Sequence, residues 1–382
     1  MLKRRSVLTT AASALALPLF SPQAWAQARK DGVVLGMTLE PTGLDPTAGA
    51  ASAIAEVVLY NVFETLTKIN SDGAVTPLLA QSWEVSPDLK TYTFKLRRGV
   101  KFQNGEPCNA QAVKFSFERA AGEKSTNKDK RTFSNMERVA AIDDDTVVIL
   151  NKTLDPDFLF LMGQATAIIV ESKSADTNAT QPVGTGPYRL EQWSKGASVT
   201  LSRWDGYRNA AAVKMKKAQF RFISDPSAQV ASLLAGDVDA FPRVAAARSL
   251  GQFKSNAKLQ IVISGSRAKT IVAINNKKRP LDDVRVRRAI ACAIDRQQVI
   301  DGVAEGFGKP IGSFYVPGAP GYVDLTAVNA YNPDKARALL KEAGITAPLE
   351  LSLKLPPTPY ARQGGEVIAA MLAKVGIVAK QE

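Results

Sequence analysis

The 382-residue sequence contains no histidine. Without imidazole the chain cannot build a Ser-His-Asp or Cys-His catalytic group, nor any zinc or nickel site that needs imidazole ligands. Hydrolysis by two paired carboxylates stays formally open, but no spacing among the 36 acidic residues singles out one pair. We therefore predict no catalytic residue, no metal site and no cofactor.

Cysteine is almost as scarce as histidine. The two cysteines, Cys108 and Cys292, lie far apart in the sequence. A disulfide between them is possible in an oxidising compartment, although sequence does not reveal which cysteines pair. We expect both thiols to be unpaired and buried.

The sequence also lacks a dense basic block, although its formal net charge is +13. The densest basic groups are only 277–279 and 285–288, and the other lysines and arginines are scattered. A basic balance can indicate nucleic acid, an anionic surface or solubility. Because the charge is spread out, no nucleic-acid partner is predicted.

Two short motifs resemble ligand sites but have structural interpretations. The acidic run 143–145 is not followed by a calcium-ligand ladder, so it is interpreted as a solvated turn. The run VGTGPY at 183–188 has neither the Gly-x-Gly-x-x-Gly spacing nor a following Lys-Ser/Thr. It is interpreted as a tight crossover in which glycine permits positive φ.

The first 26 residues have the organisation of an export signal. Arg4 and Arg5 precede a short apolar stretch that ends in Ala24-Trp25-Ala26, which is too short to span a membrane. The arginine pair resembles a twin-arginine signal, and Sec export is the alternative. Cleavage after Ala26 lowers the formal charge from +13 to +10. With no cysteine at the cleavage site, we expect a soluble periplasmic protein without a lipid anchor.

The mature chain exceeds one compact core, so its length predicts two lobes. Strand and helix patterns alternate from Val33 onward, without internal repeats. The predicted strands are 33–37, 146–150, 188–193, 198–203, 237–241, 270–276, 349–355 and the run from 377. The predicted helices are 52–66, 109–119, 227–235, 280–293, 295–302, 332–344 and a last one that ends before Gly376.

The most informative stretch is residues 79–102, LAQSWEVSPDLKTYTFKLRRGVKF. Tyr92, Phe94 and Leu96 alternate with polar residues, which predicts a half-buried antiparallel strand. Pro87 and Asp88 supply turn chemistry before it. The run closely resembles the signature of the extracytoplasmic solute-binding proteins of peptide-type ABC importers, the dipeptide, oligopeptide and nickel group. Residues 30–382 follow the order of motifs in that family almost throughout.

The resemblance implies an α/β fold, that of a two-lobed, class II-like periplasmic binding protein with mixed sheets and an extra subdomain in lobe one. The expected domains are the signal at 1–26, lobe one at 27–268 with a subdomain inserted at about 55–178, and an incomplete lobe two at 269–382. Family members continue beyond the last matching helix. We therefore expect the C-terminal return segment to be missing, lobe two to be loosely packed and the chain as given not to be a competent receptor.

The resemblance also implies a non-catalytic, monomeric receptor that captures a peptide or peptide-like solute between its lobes and delivers it to ABC permease subunits in the inner membrane. Alternatives are a secreted carboxylate-dependent hydrolase and a peptide-binding, chaperone-like protein. Within the family, glutathione, opine, oligosaccharide and metal-chelate binders are further alternatives.

Seven residues are expected to contact the solute. The loop after Asp45 would line the wall of lobe one, and a basic pair before the crossing strand could bind a carboxylate through charge-assisted contacts. Two aromatic residues lie in a loop that should overhang the cleft, although plain packing is an alternative interpretation for them. In chain order the candidates are Ala50, Ala51, Ser52, Arg267, Lys269, Phe314 and Tyr315.

Overall fold

The computed structural model describes residues 31–244, 246–319 and 321–382. The predicted export signal at 1–26 lies outside the described residues. No helix in the described ranges is both long and apolar enough to cross a membrane.

Strands and helices alternate along the described chain. In chain order the strands are β1 (Gly32–Met37), β2 (Thr67–Ile69), β3 (Val75–Pro77), β4 (Ala80–Val85), β5 (Thr91–Leu96), β6 (Met136–Asp143), β7 (Thr146–Asn151), β8 (Tyr188–Ser194), β9 (Ser198–Arg203), β10 (Lys217–Phe222), β11 (Leu349–Leu353) and β12 (Ile377–Gln381). The α-helices are α1 (Ser52–Val58), α2 (Ala110–Ala121), α3 (Lys130–Ser134), α4 (Phe158–Leu161), α5 (Pro226–Ala235), α6 (Leu250–Lys254), α7 (Val284–Ala293), α8 (Arg296–Ala304), α9 (Pro333–Glu342) and α10 (Pro359–Ala373).

The first sheet has the strand order β1-β10-β9-β8. β1 runs parallel to β10, with Gly32 opposite Lys217, whereas β8, β9 and β10 are antiparallel neighbours, as the predicted hairpin requires. The first-sheet core comprises apolar residues of this sheet and the buried face of α1, within 37–63 and 168–222. In this mixed sheet, β1 and β10 are neighbours although most of the first half of the chain lies between them in sequence.

The second sheet has the order β4-β5-β7-β6 and is antiparallel throughout. In the predicted hairpin, Trp83 pairs with Phe94, and the inward residues of β5 are buried. Asn109 begins α2 as predicted, because its side chain accepts hydrogen bonds from the backbone N–H groups of Gln111 and Ala112. The second-sheet core lies within 66–169 and includes Cys108.

The third core joins α7, α9 and α10 to the parallel pair β11–β12. Asn332 caps α9, Pro333 occupies its first turn, and Gly344 follows its end with φ +80°, as the sequence predicts. Cys292 is buried in this core, within 286–377, and is unpaired, as is Cys108. The two thiols therefore belong to separate cores.

Four predicted elements are wrong in extent or type. One is the helix predicted at 280–293, which begins at Val284. The crossing strand at 270–276 is irregular backbone with mostly exposed side chains, since no strand among the described residues forms a ladder of hydrogen bonds with it. The segment 237–241 forms only an isolated bridge between Ala240 and Leu35. The boundaries of the predicted lobes stay a prediction.

The helix predicted at 52–66 ends at Val58. Tyr60 has φ +60° and so interrupts the helix. Its hydroxyl donates to the carbonyl of Gly163 at 2.8 Å and accepts from the backbone N–H of Ile69 at 2.9 Å. These contacts with residues 66–169, the segment that carries the second sheet, thus override the local helical pattern.

Candidate functional site

The loop before α1 is fixed by a buried ion pair. Asp45 is buried, and its carboxylate accepts hydrogen bonds from both the backbone N–H and the hydroxyl of Thr47, at 2.8 and 2.6 Å. Arg119 of α2 donates to Asp45 at 3.3 Å and to the Thr47 hydroxyl at 2.7 Å. Since both groups are held in place, the loop reaches α1 in a defined position.

The first predicted wall lies directly after this loop. Ala50, Ala51 and Ser52 are exposed, and Ala51 is the residue before the first turn of α1. Their side chains are small, and the Ala51 carbonyl accepts a hydrogen bond from the backbone N–H of Ile54 at 3.1 Å. A wall of this kind offers peptide N–H and C=O groups to an extended ligand.

The structure brings three of the other candidates together. The Lys269 ammonium lies 3.7 Å from the ring centroid of Phe314, within cation–π distance. The rings of Phe314 and Tyr315 are 6.2 Å apart and meet edge to face. Both aromatic side chains are exposed, so a cation and two ring faces form one accessible cluster.

Arg267 lies elsewhere. Its side chain is exposed and its guanidinium approaches the β2–β3 turn, where a Cβ placed on Gly73 would lie 3.2 Å from an Arg267 terminal nitrogen. Arg267 and Lys269 therefore face different neighbours, although only one residue separates them. A single ligand group contacting both cations is not what this arrangement favours.

An ion pair joins the two predicted lobes. Arg248, which lies just before α6, pairs with Glu305, which follows α8. Glu305 has φ +50°, a conformation that is uncommon for residues other than glycine. Sequence reasoning did not identify this pair, since neither residue stands in a distinctive local pattern.

A buried polar cluster was also missed. Glu64 is 1% exposed, and its two carboxylate oxygens accept two bonds of 2.6 Å from the Arg208 guanidinium. The hydroxyls of Thr185 and Tyr207 donate to the same carboxylate at 2.9 and 3.2 Å. No local sequence signal marked this cluster, since Arg208 simply follows the turn residues WDGY at 204–207.

The charges of this cluster shift the titration of its members. Burial, reinforced by the nearby Glu64 carboxylate, raises the pKa of Tyr207. Burial alone would lower the pKa of Arg208, but its hydrogen bonds to Glu64 raise that pKa overall. The Arg208 guanidinium therefore stays charged and the Tyr207 hydroxyl stays protonated at neutral pH.

The glycines at 184 and 186 serve a different purpose from the predicted one. Neither has positive φ; instead, a Cβ on Gly184 would lie 1.9 Å from the Val62 carbonyl oxygen, and one on Gly186 would lie 2.4 Å from that of Asn61. Gly186 donates its N–H to Val62 at 2.9 Å. Close backbone approach, and not backbone conformation, requires glycine here.

Nothing in the described ranges groups three or more metal-ligating side chains. The exposed groups at the predicted positions are backbone amides, a cation and aromatic rings. Such groups can bind a polar organic molecule through hydrogen bonds, charge and stacking.

Solved structures with this architecture are two-lobed periplasmic binding proteins. The periplasmic binding protein AgaA from A. tumefaciens R10, solved with agropinic acid, is 28% identical and superposes with a TM-score of 0.82, covering 92% of this chain and 72% of its own. The oligopeptide-binding protein AppA from Bacillus subtilis, solved with a nonapeptide, is 23% identical with a TM-score of 0.83, covering 92% and 74%. The fold is therefore the predicted two-lobed α/β fold.

A family model, "Bacterial extracellular solute-binding proteins, family 5 Middle", matches residues 74–382. The chain belongs to this family of extracellular solute-binding proteins. It is 31% identical over 324 residues to the glutathione-binding protein GsiB of Salmonella choleraesuis, and 30% identical over 374 residues to the dipeptide-binding protein of Escherichia coli K12.

The chain is shorter than these relatives. The match to GsiB covers 84% of this chain but 62% of the relative's length, and the match to the dipeptide-binding protein covers 89% and 69%.

Proposed function

We propose that this protein is the periplasmic solute-binding component of an ABC importer. It captures a peptide or peptide-like solute between two lobes as a monomer, delivers the solute to the inner-membrane permease and catalyses no reaction. The match of residues 74–382 to the family of extracellular solute-binding proteins is the observation that carries this proposal. The names of the relatives, which bind dipeptides and glutathione, support a solute of this size and chemistry.

The exposed groups support a solute with a free carboxylate. Lys269 supplies a positive charge beside the rings of Phe314 and Tyr315, and Ala50–Ser52 are small, exposed residues. A dipeptide, with one carboxylate and side chains that can stack on rings, meets both requirements. Glutathione, which also carries carboxylates, is the second candidate because of the similarity to GsiB.

Mass spectrometry of small molecules that co-purify with the protein tests this function directly. We expect peptides or glutathione-like molecules to be released on denaturation, and to bind again in calorimetry. Hydrolysis of a peptide or glycoside panel by the purified protein would contradict the proposal.

Replacing Arg267 and Lys269 together with alanine tests whether a carboxylate of the solute contacts either cation. One charge-assisted hydrogen bond contributes about 1.5–3 kcal/mol, so loss of the contact that either cation makes should raise the dissociation constant at least about tenfold. The control is the double change of Lys277 and Lys278 to alanine, which removes the same charge from nearby exposed positions. An equal loss of affinity in both variants would mean that only overall charge matters.

A further inference from the structure

A pocket separate from the proposed solute site lies between the second-sheet segment and the segment after β9. This Arg97 pocket has a volume of about 380 Å³ and is lined by Leu78, Arg97, Tyr207, Arg208 and Asn209. It contains none of the residues proposed to contact the transported solute. None of its lining residues is acidic.

Arg97 is held in place with its charge unpaired. Its Nε donates to the carbonyl of Leu78 at 2.6 Å, which fixes the plane of the guanidinium. Within residues 31–244, 246–319 and 321–382, no protein group accepts a hydrogen bond from its two terminal amino groups. The neighbouring Arg98 differs, since it pairs with Asp145 at 2.7 Å and its side chain is 86% exposed.

The other residues that line the pocket add no compensating negative charge. Glu64 lies behind this wall, but the two bonds from Arg208 neutralise its carboxylate, and Thr185 and Tyr207 satisfy it further. Arg208 also packs on the ring of Tyr207, 4.8 Å from the ring centroid. Among the described residues, the positive charge of Arg97 therefore stays without a negative partner, beside Tyr207 and Arg208, which are held by their bonds to Glu64.

We propose that the Arg97 pocket is a second binding site, which holds a small oxyanion through the two terminal amino groups of Arg97. Because Nε is already engaged, the guanidinium offers its end-on pair of donors, which suits two oxygens of one carboxylate or phosphate. The volume is at the lower end of the range for small-molecule sites and admits a molecule the size of a short dicarboxylate.

The test is an NMR titration of the whole protein with arginine-selective and asparagine-selective ¹⁵N labels. Acetate, succinate and inorganic phosphate are each added at constant ionic strength, with chloride as the reference anion. We expect saturable shifts of the signals of Arg97, Arg208 and Asn209, and comparison of the three anions identifies the preferred oxyanion. Shifts that stay linear in anion concentration, or that equal those with chloride, overturn the proposal.

Arg97→Gln and Arg98→Gln form a matched pair, since each removes one positive charge at adjacent positions. We expect Arg97→Gln to weaken anion binding tenfold or more and Arg98→Gln to leave it within twofold. Equal weakening in both variants overturns the proposal. If Arg97→Gln does not fold, the wild-type titration decides by itself. The result is independent of the proposed transport function, because the probe anions are assayed without a peptide solute.

Discussion

At the scale of single residues, Gly184 is a position where a side chain has no room. The chain from 61 to 62 passes so near that a methyl group at position 184 has no space, and the obstacle is a carbonyl oxygen in the main chain. Backbone cannot move aside as a flexible side chain does. The segment 184–188 therefore packs directly against the backbone of residues 61–62, just after α1.

Gly184→Ala should strongly destabilise the protein. Overpacking costs typically 1–3 kcal/mol, and here we expect about 3 kcal/mol or more because the added carbon overlaps backbone. Gly251→Ala is the control, since a Cβ at that position meets nothing within 4 Å. Alanine at the second position of the short helix α6 should leave the free energy of unfolding unchanged or raise it slightly. Urea denaturation measures both, and similar midpoints for the two variants would contradict the expectation.

Glu64→Gln should also be costly. The change removes the negative charge that faces Arg208, whose side chain is only 24% exposed, and breaking a buried pair in this way costs about 3–5 kcal/mol. Glu191→Gln is the matched control, because its pair with Lys217 is on the surface. Its loss should change the free energy of unfolding by no more than about 1 kcal/mol. Chemical denaturation at neutral pH compares the two, and equal losses would show that burial does not matter here.

At the scale of elements, the N-terminus of α7 links stability to pH. Asp283 caps this helix, and the side-chain hydrogen bond from Arg285, followed by that from the Arg285 backbone, lowers the pKa of Asp283 from 3.8 to about 2. A depressed folded-state pKa means that the carboxylate stabilises the fold fully above pH 3.8. This contribution is lost as the pH falls toward 2.

Asp283→Asn should therefore make the free energy of unfolding depend less on pH in the acidic range. Asparagine remains a good N-cap, so the helix start is kept while the charge is removed. We expect the stability difference between wild type and variant to shrink as the pH is lowered from 4 to 2, measured by urea denaturation at each pH. Asp282→Asn, which removes the adjacent carboxylate but leaves the helix cap in place, serves as the control for the loss of one negative charge. A constant difference for Asp283→Asn across this range would rule the linkage out.

Local patterns predicted those elements whose determinants lie within a few residues. The alternation of Tyr92, Phe94 and Leu96 identified β5, and the short polar side chains of Asn109 and Asn332 located two helix starts. The segment 270–276 has the same apolar composition as a strand but lacks a partner to complete its ladder. Partners are a tertiary property, and sequence periodicity does not report them.

The candidate site stays a prediction, but the sequence did not report which of its members touch. Lys269 was nominated by its place before the expected crossing strand and Phe314 by its place in a loop expected to overhang the cleft, and the fold brings the two into contact. The sequence did not indicate that Arg267 turns toward Gly73. The bond between Glu64 and Arg208 spans 144 positions, so no local spacing could have suggested it.

At the scale of the whole molecule, the buried residues form separate cores. The second-sheet core lies within 66–169 and the third core within 286–377, and each contains its own helices and strands. Cooperative units of folding often follow such divisions. The two cores should therefore open as different units.

Core truncations should show this independence. Phe94→Ala in the second-sheet core and Leu340→Ala in the third core should each destabilise their own unit, by about 3–5 and 2–5 kcal/mol. In native-state hydrogen exchange, Phe94→Ala should accelerate exchange in β4–β7 and Leu340→Ala in α7, α9 and α10. Each variant is the control for the other. Acceleration in both regions by either change would indicate one cooperative unit.

The parallel pairing of β1 with β10 also sets an order of events during synthesis. β1 can pair only after β10 has been synthesised, because Gly32 lies opposite Lys217. This early strand therefore joins its sheet late. The second sheet has all four strands by Asn151, and the hairpin of β8 and β9 closes on itself, which keeps their loop-closure entropy small. A ribosome-bound chain can thus acquire a folded interior while its N-terminal end is still open, and folding proceeds from the middle of the sequence outward.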